Sequence, residues 1–372
     1  MSEGSKCHSL RDYSALQLEE IYSGNEGVDN LGVVTTILIL IQTPIVPAAS
    51  SALPSMHRTC EPMPNLEETY HAGATLDLYA WQLPAPPTST RCMYEDGPPC
   101  ATQLSERYNK SISERVALPS TPPAVSITLE KRFDSSTHRV PHVWSARVQG
   151  SSSHAGATTT RTTYPPLLVA KIYDPVFFDD DETQWNDPFI LRDLSVSCEV
   201  EAYRRLGPLQ GTEVPRFYGY FAAALPAQHG RTVYIILLEE VPGRDLRVIV
   251  PPHVTENVCA KHKDAIIDAT LRLYFDILAC GIDQQDMQSR NVILRPQKHV
   301  SLSISGTRFC DTKECLLALE VDCDDLHMVM VDFETVDFQE PDTSFSEQAV
   351  QRTHIEKVKS MYLERWLENG LV

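Results

Sequence analysis

The chain has 372 residues, 42% of them hydrophobic, and a formal net charge of −18 at pH 7. That length and apolar content allow one large or two modest domains with a buried core. The acidity argues against a nucleic-acid binder, because phosphate contacts need clustered Lys and Arg, and it argues equally against adhesion to an anionic membrane surface.

Residues 1–124 form a Pro/Ser/Thr-rich region expected to be largely disordered. Pro44 to Pro123 carries 13 of the 26 prolines, and tracts such as PAASSALPS and LPAPPTSTR break any strand or helix period. Such a stretch buries too little apolar surface to offset its ordering entropy. Leu31–Ile41 is apolar, but it is shorter than the ~20 residues of a membrane span and reads as a buried strand or an unstructured segment. Leu76–Pro84 (LDLYAWQLP) reads as a loop, with docking of its aromatic pair as the alternative. No basic, apolar secretory signal opens the chain.

From Val125 the pattern changes. Val125–Leu129 and His142–Val148 alternate as strands do, and Pro165–Tyr173 is an apolar run holding one lysine. Asp179–Glu182 reads as a solvated turn. Asp187–Leu206 has helical spacing at Ile190, Leu194, Val200, Tyr203 and Leu206. Arg216–Ala224 and Val233–Val241 are expected strands around a His229-Gly230 turn. The order is three strands, one helix, two strands.

The second half opens near Pro242-Gly243. Ala265–Cys280 is a strongly amphipathic helix, with Ile266, Ile267, Leu271, Tyr274, Phe275 and Leu278 on one face. Val292–Leu294, Leu317–Val321 and Met328–Val331 are expected strands, with an inserted hairpin around Thr307–Leu326. A capping box at Thr353 and Glu356 starts an expected last helix. The ten cysteines include no CxxC pair, which predicts reduced thiols in an intracellular, cytoplasmic protein. Cys310, Cys315 and Cys323 are near one another in sequence, yet no second CxxC or His-x-x-x-His completes a zinc set, so no metal is expected there.

The residues that suggest chemistry lie between these elements. Lys171 sits inside an apolar strand, where an ammonium is costly unless it meets an anion or a carboxylate. Glu199, on the apolar side of the next helix beside Tyr203, is the candidate carboxylate, while Glu201 should face solvent. Asp286 follows a helix and a Gly281 break. Asn291 precedes one short strand, and Asp332 follows another. Oxygen ligands at the ends of two strands suit a Mg2+ ion held partly through phosphates.

In this order the motifs resemble a protein kinase-like domain of the divergent fungal type. VWSAR resembles the second strand, LLVAKIY the lysine strand, CEVEAYRRL the helix with the pairing glutamate, and YIILLEEVPGRDL the last strand and hinge. DMQSRNVIL resembles the catalytic loop and VMVDFE the metal-binding motif. The resemblance implies an α+β, bilobal fold: a five-stranded N-lobe with one helix over 125–241, then a shortened, mainly helical C-lobe over 242–372.

It also implies an ATP-dependent phosphotransferase. Asp286 would take the proton of a hydroxyl acceptor, protein or small molecule, and Asn291 and Asp332 would hold Mg2+. Lys171 would bind the nucleotide phosphates and pair with Glu199, and the backbone at Glu239 and Val241 would meet adenine. The chain departs from the pattern at several places, the lack of the expected activation loop, Ala-Pro-Glu motif and peptide-platform helices after Asp332 among them. Gln284-Gln285 stands for His-Arg, Glu334 stands for Gly, and no glycine lies between Thr128 and Trp144. These departures keep open a pseudokinase that binds without catalysis. Nothing in the sequence signals an oligomeric state.

Overall fold

Six strands close into a barrel; burial alternates along the first two, and the other four are buried over runs of three or four residues, as strands covered on both faces are. The computed structural model describes residues 65–85, 103–133, 141–149, 164–178, 187–250, 257–297 and 309–340. A short helix α1 (Leu66–Thr69) leads into β1 (Thr75–Ala80), and α2 (Leu104–Ser113) into β2 (Val125–Arg132), β3 (His142–Val148) and β4 (Leu167–Tyr173). After α3 (Pro188–Arg205) come β5 (Phe217–Leu225) and β6 (Arg231–Glu239). The strands run in the order β1-β2-β3-β4-β6-β5, every pairing is antiparallel, and β1 closes the ring by pairing β5 at Tyr79–Ala222 and Ala80–Phe221. Leu78, Ile127, Leu129, Ala146, Leu168, Ala170, Ile172, Val233, Ile235 and Leu237 are all fully buried and pack as one cluster inside it.

The sequence led us to expect five strands and a disordered 1–124. For residues 65–85 and 103–124 that expectation is corrected: they supply two helices and the strand that completes the barrel. Leu76 and Leu78 alternate inward with clear strand periodicity; the pattern is only six residues long and is flanked by proline tracts, which is why it reads as a loop. A buried polar knot ties this segment down. Tyr70 donates to Asp174 at 2.8 Å, and Arg231 donates to the other oxygen of Asp174 at 2.7 Å. Arg231 and Asp174 are both inaccessible to solvent.

Helix α3 starts where its residues dictate. Asp187 caps it by accepting from the Phe189 N–H at 2.8 Å, and Pro188 takes the first helical position, where a missing N–H costs nothing. Ile190 is exposed rather than on the apolar face. Glu201 is buried, not solvent-facing, because Arg204 and Arg205 fold back onto it at 2.6 and 2.8 Å.

The following segment packs in a second cluster together with α3 and the outer face of the barrel. Beyond β7 (Arg244–Asp245) and α4 (Leu246–Ile249) it is organised by α5 (Ala260–Ala279), β8 (Ile282–Gln284), β9 (Val292–Leu294), β10 (Met328–Met330) and β11 (Val336–Phe338). Gly243 lets β7 approach β9: a Cβ there would stand 2.3 Å from the Leu294 carbonyl, and its φ of 145° is one that L side chains avoid. Gly281, at φ 77°, ends α5 by donating to the Leu278 carbonyl.

Among the described residues this half holds one 20-residue helix and one of four residues, not a mainly helical lobe. Residues 309–327 form successive turns with no strand, in place of the expected hairpin and the Leu317–Val321 strand. Leu317, Ala318 and Val321 are still buried, so their apolar spacing reflects burial through turns. The expected last helix from Thr353, Leu31–Ile41 and Asp179–Glu182 lie outside the described residues. No helix among the described residues is long and apolar enough to cross a membrane. Cys259, Cys280, Cys310, Cys315 and Cys323 are free, whereas Cys198 is in a disulfide, contrary to the expectation of reduced thiols throughout.

Candidate active site

Alternation along β4 decides where Lys171 goes. Leu168, Ala170 and Ile172 face the barrel interior, so Val169, Lys171 and Tyr173 face the other way, toward α3. On α3, Glu199 shares a stripe with Val196, Val200 and Tyr203, all buried, and its carboxylate is inaccessible to solvent. The Lys171 ammonium lies 2.6 Å from Glu199, and Tyr173 donates a second hydrogen bond to the same oxygen. The pairing foreseen from spacing is therefore made.

Two further carboxylates reach that ammonium: Asp332 at 2.9 Å and Glu334 at 2.7 Å. Asp332 follows β10 with φ 70°, a left-handed conformation uncommon for a non-glycine residue. Phe333, fully buried between them, packs edge-on against Tyr203 of α3 at 5.4 Å. That anchor turns the flanking carboxylates toward Lys171.

Three carboxylates around one lysine leave an excess of negative charge. Burial opposes the Lys171 ammonium, but Asp332, Glu199 and Glu334 outweigh it and hold its pKa well above the ordinary lysine value. Burial pushes the Glu334 carboxyl well above the usual range, with Asp332 and Glu199 adding to the rise against Lys171. Glu199 is raised chiefly by burial. Burial also works on Asp332, but its side chain is 36% exposed, and the contact with Lys171 keeps it below the ordinary aspartate value.

Glu199 Oε1 and Glu334 Oε1 are buried without a hydrogen-bond partner, and one oxygen from each of Glu199, Asp332 and Glu334 lies within 4.8 Å of the others. Glu334 Oε1 is near Lys171 Nζ but out of line for a hydrogen bond. Hard oxygen donors so grouped, with charge to spare, fit a divalent cation such as Mg2+.

The second part of the site hangs from the turn after β8. Asp286 accepts at Oδ2 from Asn291 Nδ2 at 3.0 Å and from Arg290 at 2.9 Å. Asn291 Nδ2 also donates to the Asp286 backbone carbonyl, which fixes the loop. The backbone carbonyl of Asn291 accepts from Val331 N–H at 2.9 Å, next to Asp332. Gln284 completes the bridge: its amide nitrogen donates to the Asp332 carbonyl at 2.6 Å, and its oxygen accepts from the Asp286 N–H at 3.1 Å.

Lys171, Glu199, Asp286, Asn291 and Asp332 are thus linked in one hydrogen-bonded chain running through Gln284. Glu239 ends β6, with its N–H given to the Arg216 carbonyl at 2.9 Å, and Val241 lies two residues beyond. Sequence reasoning did not single out Gln284 as the bridge, Arg290 as the partner of Asp286, or Glu334 as a third carboxylate on Lys171. Gln284 and Glu334 were visible only as departures from a pattern.

No protein-family model matches the chain, and no curated protein matches it. Among solved structures it is similar to Rad53 in complex with AMP-PNP, at 15% identity and a TM-score of 0.33 over 57% of this chain and 40% of that one. It is also similar to the kinase domain of Mycobacterium tuberculosis PknI, at 12% identity and a TM-score of 0.31 over 56% of this chain and 60% of that one. The chain therefore spans less than two thirds of either, and likeness at these scores carries none of the reading that follows.

Proposed function

We propose that the chain is a kinase-like, ATP-dependent phosphotransferase acting on a hydroxyl acceptor, with the barrel and α3 as one lobe and residues from 242 onward as the other. The observation that carries the reading is the convergence on Lys171 of Glu199 and Asp332, from segments 28 and 161 residues away. Mg2+-ATP would supply the phosphoryl group and the cation that offsets its charge.

The chain's own groups supply position and charge. Lys171, held by Glu199, presents a fixed ammonium to the α- and β-phosphates. Asp332, with Asn291 beside it, offers oxygens to the cation. Asp286 has Oδ2 occupied by Arg290 and Asn291, which leaves Oδ1 to receive the acceptor's proton. A contact with the adenine edge would use the Glu239 carbonyl and the Val241 N–H. The acceptor is a hydroxyl on a protein or on a small molecule.

One observation favours a second reading, a pseudokinase that binds without catalysis. Glu334 sits 2.7 Å from the Lys171 ammonium, where it competes with phosphate. Titration with Mg2+-ATP, followed by thermal shift and by ATP turnover, separates the two. Catalysis requires saturable stabilisation and a turnover that Asp332→Asn removes. Stabilisation without turnover leaves the binding module. The absence of both overturns both readings.

A further inference from the structure

The turns at 309–327 hold no helix or strand, yet they bury Cys310 and Cys315 against the first turn of α5. Cys259 is the residue that precedes α5, and His262 lies within that first turn, fully buried. The ligand atoms of Cys259, His262, Cys310 and Cys315 all lie within 4.8 Å of one another.

We propose that these four residues form a structural zinc site that clamps the 309–327 segment to the start of α5. In sequence the set reads Cys-x2-His followed, 48 residues on, by Cys-x4-Cys. Neither half alone signals a metal, and the fold brings the halves together.

The histidine is oriented for the task. His262 Nε2 lies 2.9 Å from the Val321 backbone carbonyl, which can only accept, so Nε2 carries the hydrogen. That leaves Nδ1 facing Cys259 Sγ at 3.2 Å and Cys315 Sγ at 3.5 Å. A zinc-bound histidine commonly gives its other ring N–H to a carbonyl in this way. In a tetrahedral centre with Zn–S of ~2.3 Å and Zn–N of ~2.0 Å, neighbouring nitrogen and sulfur ligands stand ~3.5 Å apart. The observed spacings need only a small adjustment.

The surroundings suit thiolates. The Cys259 backbone N–H points at Cys315 Sγ, 3.4 Å away. Cys259 also stands at the N-terminus of a 20-residue helix, where partial positive charge favours an anion. Three sulfurs and one imidazole fill four positions, leaving none open for substrate, as in a structural centre. Sulfur-rich donors select zinc over magnesium or calcium. Cys323 is more exposed and lies 4.0 Å from the Lys261 carbonyl, outside the set.

The clamp would act at a distance from the chemistry but on the same elements. The 309–327 segment runs straight into β10 and Asp332, and α5 runs into Gly281, β8 and Asp286. A metal here would fix the far ends of both supports.

The test uses the untagged full chain, produced with zinc and measured by elemental analysis and native mass spectrometry. The expected result is about one zinc per chain, reduced to background in Cys310→Ser/Cys315→Ser and unchanged in Cys323→Ser and Asp332→Asn. Cobalt exchanged for zinc should give the strong visible bands and the sulfur-to-cobalt charge transfer of a tetrahedral thiolate site. Should the double variant fail to fold, alkylation of the parent decides. Cys259, Cys310 and Cys315 should be protected with zinc and labelled after chelation, while Cys323 is labelled in both. A folded chain without stoichiometric metal, zinc kept by the double variant, or unprotected cysteines in the zinc-supplied chain would each overturn the proposal. Retention of zinc in Asp332→Asn keeps this result independent of the catalytic reading.

Discussion

Gln284 and Asp332 are joined by a 2.6 Å hydrogen bond from the glutamine amide to the aspartate's backbone carbonyl, and the same amide group receives the Asp286 N–H. One buried side chain thus sets the spacing between the two acidic residues on which phosphoryl transfer would depend. The substitution Gln284→Leu keeps the volume but leaves a carbonyl and an N–H without partners. The expected loss is about 1–3 kcal/mol of stability. Turnover of Mg2+-ATP should fall on the order of a hundredfold through misplacement of the reacting groups. Chemical denaturation and steady-state kinetics check the two parts; a rise in KM alone, with kcat intact, would contradict the bridging role.

Asp332 combines a left-handed backbone with a carboxylate 2.9 Å from Lys171, so its substitutions separate conformation from charge. Asparagine tolerates φ 70° nearly as well as aspartate, whereas alanine adds strain of roughly 1–2 kcal/mol. Asp332→Asn should keep its melting temperature close to the parent while losing Mg2+-dependent turnover. Asp332→Ala should lose both. Equal stability of the two variants would remove the strain argument.

Glu334 is the carboxylate that the lysine least needs. Its folded-state pKa is raised well above the ordinary value by burial, and Asp332 and Glu199 add to the rise. A raised carboxyl favours the fold below its unfolded pKa of about 4.3 and loses that contribution as pH climbs toward the folded value. Glu334→Gln should therefore be more stable than the parent near neutral pH, with the advantage vanishing toward pH ~4. It should also be stabilised less by Mg2+ alone, because a neutral amide replaces one anionic carboxylate of the cluster. Melting curves across pH, with and without Mg2+, read both effects.

How far the sequence carried the reading depends on the kind of signal each element gives. The positions of Lys171 and Glu199 were legible because β4 and α3, at seven and 18 residues, are long enough to show their period, whereas Asp286, Asn291 and Asp332 flank three-residue strands and were marked only by the resemblance of their motifs. The strand β1 was not, since its closure depends on pairing with β2 and β5, and a six-residue alternation between proline tracts does not announce distant partners. Cys259 and His262 were missed for a related reason. The first turn of α5 reads as polar, AKHKD, and only the fold shows that His262 is buried against the 309–327 turns. Glu201 was misplaced because burial by its own neighbours, Arg204 and Arg205, leaves no mark on the helical apolar face.

The barrel carries its own pH sensitivity, away from the site. His142 at the start of β3 is inaccessible to solvent, and burial lowers its pKa to about 4 from 6.5, with Asp174 opposing and Arg132 adding to the fall. Arg132 lies 3.2 Å from Nδ1, and Tyr70 and Phe177 pack around the ring. A lowered histidine protonates first in the unfolded chain, so stability is full above pH ~6.5 and declines as pH falls toward 4, by about 3 kcal/mol in all. His142→Phe preserves a ring between Tyr70 and Phe177 and removes the titration. Its stability should be lower than that of the parent at pH 8, where the Arg132 contact is lost, and nearly flat between pH 6.5 and 4. Denaturation midpoints across that window decide it: a parent and a variant that lose stability in parallel would show that His142 is not the group responsible, leaving paired carboxylates such as Asp174 to account for acid unfolding.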